Sequence, residues 1–383
     1  MGARWRVLAA VNVALWGAIV AGLLKLGVRF GDLGWDLESF CVGSRLWLGG
    51  QPVYDFEAQA RAHVALAHPG FAPFPFVNPP ILAIEMAPLA KLPHAAALLV
   101  VIAASLAAAG VAARLATGDA RNALWVAASY PALTALGQGQ LAFFALLLFS
   151  LTYYALARRR PFTAGAVASL LVYKPQLLLL LPVAFAMSPL ARRALAGFVA
   201  GVLAQLGICL LVARDATLAF PSALARFASY APKLKVAESY TWRTFFELLL
   251  PGHPRASLGL AAAAVLTTLA VAVATMWRAR RDLELLFSVA VIATLLGAAH
   301  CGSYEWVSLA LPAWLLAPRA APSRRALALY VVASAGLWFD VVDWQRDRWG
   351  VALAPAVLVG SAFAVWLVRA AWRSGTTSAS AAS

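Results

Sequence analysis

Apolar runs alternate with short polar breaks along nearly the whole chain. Twelve apolar segments can be marked, at about 7–28, 95–113, 122–136, 140–157, 162–173, 176–188, 195–213, 258–277, 283–299, 304–318, 326–340 and 350–368. Runs near 20 apolar residues are what a helix needs to cross a bilayer. Several of these are under about 17 residues, too short to cross ~30 Å of hydrocarbon as straight helices. The breaks GQGQ (137–140) and YKPQ (173–176) fall between such short pieces. They predict helices that stop inside the protein or at its edge, where protein or water satisfies the freed backbone groups. The pattern therefore predicts an all-α polytopic membrane protein of about 12 transmembrane or partly embedded helices. No long polar stretch divides it, so residues 1–383 read as one domain.

Composition agrees: 63% of the 383 residues are hydrophobic and 12% charged, against roughly 25% charged in soluble globular proteins. The opening, MGARWR before an apolar run to Val28, has the layout of a signal peptide. Its apolar part exceeds the usual 7–15 residues, roughly, of such a segment and no small-residue cleavage site follows, so an uncleaved first span is expected.

The net charge of +15 raises the question of nucleic acid. The basic residues instead sit in short clusters between apolar runs: 114–121, 158–160, 192–193, 278–281 and 319–325. That is the pattern of cytoplasmic loops, and no basic face with interleaved aromatics appears. With the N-terminus inside and the sides alternating, the inner connections hold 17 Lys/Arg and 3 Asp/Glu, the outer ones 14 and 13. Both termini are then cytoplasmic. The long external connections are 29–94 and 214–257; the shorter ones are GQGQ, YKPQ, AHCGSYEW (299–306) and FDVVDWQRDRW (339–349). Residues 374–383 read as a disordered tail.

The three cysteines, Cys41, Cys209 and Cys301, have no metal-ligand spacing. Cys209 reads as packing; Cys41 and Cys301 share a side and leave a disulfide open. In the first external loop, WDLESFCVGSRLWL puts Trp35, Phe40, Leu46 and Trp47 near one helical stripe, and FEAQARAHVALA (56–67) has a weaker one. Both are expected to lie in the membrane interface, with Asp36 at the bilayer surface. A carboxylate near a helix start is also explained by the helix dipole, worth about 0.3–1 kcal/mol; Asp32 fits that account better than Asp36 does.

The runs WDLESFCVGSRLWLGGQPVYD and FVNPPILAIEMAPLAKLP resemble the first external loop of glycosyltransferases with the GT-C architecture. GQGQLAFFALLLFSL, AGAVASLLVYKPQLLLLLP, SYTWRTFFELL and AAHCGSYEWVSLALPAWLL continue the likeness over about 30–315, in order. The similarity is to the bacterial polyprenol-phosphate-mannose-dependent α-mannosyltransferases, family 87 among glycosyltransferases. Departures are Gly139-Gln140, where Asn is common in the family, and His300-Cys301-Gly302.

That resemblance implies a GT-C-like bundle in the plasma membrane with its site on the external face. The implied reaction is inverting transfer of a hexose, mannose foremost, from a polyprenyl-phosphate donor to a hydroxyl of a lipid- or glycan-linked acceptor. Such a reaction needs a base for the acceptor proton and fixed positive groups for the leaving phosphate. Asp36 is the expected base. Lys174, Arg243 and His300 are the expected phosphate ligands; Gln138, Gln140, Tyr304 and Glu305 are expected at the sugar or acceptor. Each has a plainer account: a snorkelling lysine, an aromatic-belt arginine, a helix-end histidine or carboxylate, glutamines serving a broken backbone. No Asp-x-Asp pair occurs in the first loop, so neither metal nor other cofactor is expected. A carrier or flippase for lipid-linked sugars would also use many spans and broken helices. Transporters often show similar halves, however, and none are seen between 1–190 and 191–383. A purely structural membrane subunit leaves Asp36, Lys174 and His300 unexplained.

Overall fold

The computed structural model describes residues 33–65, 75–127, 129–230 and 239–316, with scattered positions on either side. Apart from those scattered positions, the expected spans 7–28, 326–340 and 350–368, the 319–325 loop, the 339–349 connection and the tail lie outside the described residues. Among the described residues the structure is helical without strands; its sole β-type pairing is a bridge between Ser239 and Gly302.

The 29–94 connection forms α1 (Trp35–Leu48), α2 (Phe56–Ala65), α3 (Pro80–Glu85) and α4 (Ala87–Ala90). The bundle continues with α5 (His94–Thr117), α6 (Ala123–Ala127), α7 (Tyr130–Gln138), α8 (Ala142–Ala157), α9 (Pro161–Ser169), α10 (Leu181–Met187) and α11 (Ala191–Val212). The 214–257 connection carries α12 (Arg214–Tyr230) and α13 (Trp242–Leu249). Then come α14 (Pro254–Arg278), α15 (Leu283–Gly297) and α16 (Ala310–Leu316).

Three described helices are long and apolar enough to span a bilayer: α5, α11 and α14. A fourth span arises if α7 and α8, bent by 118° at their break, count as one. The expected number of about 12 is not reached among the described residues. The other apolar segments become shorter helices for a local reason. Pro161, Pro175 and Pro182 each sit in the first turn of a new helical piece, the position proline tolerates and beyond which it cannot extend a helix backwards. Gly139 ends α7 in the left-handed conformation, φ 69°.

Helices α9 and α11 meet backbone to backbone. A Cβ on Gly165 would collide with the Ala194 carbonyl, and one on Gly197 with the Phe162 carbonyl. Small residues at such crossings let membrane helices approach closely. Gln205 on α11 donates to the Ser169 carbonyl at 2.9 Å across this seam.

α1 departs from the expected surface helix. Leu37, Phe40, Val42 and Leu46 are buried, and so are Asp36 and Glu38; Trp35 and Leu48 remain exposed. The helix is a core element because both carboxylates find buried partners and because the loop folds over it. Arg45 donates through Nε to the Ala90 carbonyl at 2.8 Å, and Trp47 Nε1 to that of Val212 at 3.1 Å. Buried Phe76 lies over Gly43, where any side chain would strike its ring. Gln59 holds that segment in place: it accepts from the Phe76 N–H at 2.7 Å and donates to the Val53 carbonyl at 2.7 Å. α2 is the more exposed cover, with Arg61 and Glu57 paired in solvent.

Candidate active site

The site begins with a glycine contact. Gly34, at φ 87°, precedes α1, and its N–H donates to the Gly137 carbonyl at 2.8 Å. A Cβ on Gly139 would stand 2.6 Å from Leu37 Cβ. Two left-handed glycines, a conformation costly for other residues, thus seat the start of α1 on the α7–α8 break. His94 Nε2 meets the Leu33 carbonyl at 2.7 Å and ties the same corner to α5. Asp36, in the first turn of α1, is thereby aimed at the residue that follows the break.

That residue is Gln140. Its Nε2 donates to Asp36 Oδ2 at 2.6 Å, and its Oε1 accepts from Lys174 Nζ at 2.6 Å. Lys174 lies between the 3₁₀ turns Leu170–Tyr173 and Pro175–Leu178. Pro175 disfavours a helical Lys174, and its φ of −133° and ψ of 79° turn it out of the helix path. The ammonium reaches Glu305 Oε1 at 3.0 Å and stands 4.7 Å from the centroid of the Tyr304 ring. Glu305 Oε2 accepts from the Gly302 N–H at 3.1 Å, and Gln176 Nε2 lies 3.5 Å from Oε1. Asp36, Gln140, Lys174 and Glu305 are each 4% exposed or less, so this polar chain is internal rather than a set of surface pairs. Burial of charges is costly unless they are paired or hydrogen-bonded; here Lys174 and Glu305 form an ion pair and Asp36 accepts from the Gln140 amide.

The Gly302 end joins the 214–257 connection. Tyr240 N–H donates to the Cys301 carbonyl at 2.8 Å, Ser239 pairs with Gly302, and Ser239 Oγ lies 3.1 Å from His300 Nδ1. The Tyr304 ring covers Gly302, where a Cβ would collide with it. Tyr240 and Trp306 meet edge to face at 5.6 Å.

The structure thus brings together Asp36, Gln140, Lys174, Tyr304 and Glu305. His300 lies on the exposed rim of the same seam, two residues from Gly302. Arg243 is set apart on α13, partly exposed, with its Nε 2.8 Å from Glu247 Oε1. Gln138 is half-buried at the end of α7. Two further polar residues are less legible in the sequence: Gln176, the last letter of YKPQ, and Glu38, whose Oε1 lies 2.9 Å from His63 Nδ1 in a buried pair. Two acidic residues two apart on an apolar helix point to different sides, which was a usable signal. The three cysteines are free and buried. Burial and the charge of Glu305 push the Cys301 thiol well above its ordinary value, and burial raises Cys41 to about 11. Among the described residues no group of three or more His, Cys, Asp or Glu side chains could hold a metal ion.

A helical membrane bundle with a buried carboxylate, amide and ammonium at its helix breaks fits a membrane-embedded transferase. The chain matches the family model of glycosyltransferase family 87 over residues 76–301, more than half its length, and it belongs to that family. It is accordingly a membrane protein and a glycosyltransferase, which makes the carrier reading the weaker one. Gln140, Lys174, Arg243 and His300 fall inside the matched stretch; Asp36, Tyr304 and Glu305 fall outside it and reach it through the contacts above. The chain matches no curated protein and no solved structure.

Proposed function

We propose that the protein transfers a hexose, mannose foremost, from a polyprenyl-phosphate donor to a hydroxyl of a lipid- or glycan-linked acceptor. The whole chain acts as one domain of the plasma membrane, and the reaction runs at its external face. The observation that carries this reading is the buried Asp36 carboxylate, held through Gln140 at the end of a polar chain inside a family 87 bundle.

The chemistry follows from that placement. The acceptor O–H loses its proton to the Asp36 carboxylate as its oxygen bonds to the anomeric carbon. The bond from that carbon to the phosphate oxygen breaks, and polyprenyl phosphate leaves with the electron pair. A single displacement of this kind inverts the anomeric centre. The negative charge gathering on the phosphate is best met by fixed cations; His300, exposed on the rim, and Arg243, partly exposed on α13, are the groups assigned to it. Arg243 offers two oxygens its planar fork. Tyr304 and Gln138 are assigned to sugar or acceptor hydroxyls.

The test is to incubate purified protein in lipid nanodiscs with polyprenyl-phosphate mannose, other hexose donors and short glycolipid acceptors. Mass spectrometry should show donor loss with release of polyprenyl phosphate. Asp36→Asn should lower turnover by about 10²–10⁴-fold, the scale of losing a general base. Unchanged turnover in that variant would remove Asp36 from the role.

A further inference from the structure

Lys174 is the residue whose expected role the geometry changes. An ammonium that binds a leaving phosphate must turn a proton toward it. Lysine has three such protons and no acceptor. In this protein one is spent on Gln140 Oε1 at 2.6 Å and another on Glu305 Oε1 at 3.0 Å, while Nζ lies over the Tyr304 ring. Its positive charge is met by a carboxylate of the protein itself, so it is a poor attractor for another anion.

What the charge does accomplish is to fix an amide. The Gln140 side chain has a carbonyl end and an NH₂ end of nearly the same shape. With Lys174 on one side and Asp36 on the other, only one orientation is favourable: carbonyl to ammonium, NH₂ to carboxylate. The flipped amide would set NH₂ against NH₃⁺ and oxygen against oxygen. Glu305 fixes Lys174 in turn, and the Gly302 N–H fixes Glu305. A polarised amide is also a stronger donor than an isolated one.

We infer that Lys174, anchored by Glu305, is a positioning residue that orients the Gln140 amide and through it the Asp36 carboxylate, and that it does not bind the donor phosphate. This inference rests on the reading of Asp36 as the base. It predicts that loss of Lys174 lowers turnover without weakening donor binding. It also predicts that the loss disappears when Asp36 or Gln140 has already been removed, since residues acting as one unit are non-additive.

The experiment uses full-length protein in nanodiscs and the variants Lys174→Met, Gln140→Met, Asp36→Asn and the doubles of Lys174→Met with each of the others. Lys174→Met leaves Glu305 without its cation, so Lys174→Met/Glu305→Gln is included as a neutral pair. Polyprenyl-phosphate mannose binding is read by tryptophan fluorescence and turnover by mass spectrometry. The expected result is a drop in kcat of about 10–100-fold for Lys174→Met, the range of losing a charge-assisted contact, with donor Kd within about threefold of the parent, well under the tenfold that a lost phosphate contact of 1.4 kcal/mol would give. Adding Lys174→Met to Gln140→Met or Asp36→Asn should cost nothing more. A donor Kd weakened about tenfold or more in both Lys174 variants, with additive losses of turnover, would overturn the inference and return Lys174 to the phosphate while leaving Asp36 as base. Full turnover in Asp36→Asn alone would instead overturn the base assignment, and the positioning role with it.

Discussion

Gly34 donates its backbone N–H to the carbonyl of Gly137 at 2.8 Å, so the start of α1 rests on the break between α7 and α8 without any side chain intervening. The register of that contact decides whether Asp36 meets Gln140. Gly139→Ala should therefore be severe. It forces a left-handed alanine, costing about 1–2 kcal/mol, and places a Cβ 2.6 Å from Leu37 Cβ. Gly50 is the control: it has φ 65°, but a Cβ there would meet nothing within 4 Å. Thermal unfolding in detergent should show a modest shift for Gly50→Ala and a larger one for Gly139→Ala, with turnover lost only in the latter.

The Glu38–His63 pair joins α1 to α2 on a side away from Gln140. Leaving a buried hydrogen-bonding group without its partner typically costs about 1–3 kcal/mol. His63→Ala is expected to lower the unfolding temperature clearly, while His63→Gln, which can still meet Glu38 Oε1, should recover part of the loss. Equal stability of parent and His63→Ala would mean that the pair contributes nothing.

Arg243 offers a cleaner probe of donor binding. Its bond to Glu247 is partly solvent-exposed, 35% and 29% for the two side chains, and such pairs contribute about 0–1 kcal/mol. Arg243→Ala should fold normally. With Arg243 on the phosphate, KM for the polyprenyl-phosphate donor rises about tenfold or more, as losing 1.4 kcal/mol or more of binding requires, and Arg243→Lys recovers it only in part, because an ammonium lacks the planar fork. A donor KM unchanged in Arg243→Ala would place the phosphate elsewhere along the rim.

Cys41 and Cys301 should be chemically silent. Only the thiolate reacts, and both thiols are buried and pushed upward, Cys41 to about 11. Maleimide at about pH 7.5, below the ordinary thiol range, should label neither in the folded protein, and both after denaturation, with no reductant needed beforehand. Peptide mass spectrometry reads each site separately; a dithiothreitol requirement would reveal a disulfide that the structure does not contain.

Much of this arrangement is visible in the sequence as interruption. Asp36, Gln140, Lys174 and Glu305 stand out because an ionisable or amide side chain in an apolar run needs a partner. Which partner it finds is not written locally: Lys174 and Glu305 are joined by the tertiary fold alone, and nothing in YKPQ names a carboxylate 131 positions downstream. The misplacement of α1 has a similar cause. The stripe of Trp35, Phe40, Leu46 and Trp47 shows that one face is apolar but not what covers it, and the covering is supplied by Phe76, Ala90 and α11 from elsewhere in the chain. The span count suffers from proline and glycine. Apolar pieces of 12–15 residues, such as 162–173 and 122–136, look alike whether they cross, re-enter or stop, since hydropathy records burial and not direction.

The polar chain also bears on how the protein is made. Its members leave the ribosome far apart, Asp36 early and Glu305 only when most of the chain has been synthesised. Until then Lys174 has no counter-ion, and drawing an unpaired ammonium into the bundle costs several kcal/mol. A nascent or truncated chain ending before residue 305 would thus lack the carboxylate that meets Lys174 in the finished protein.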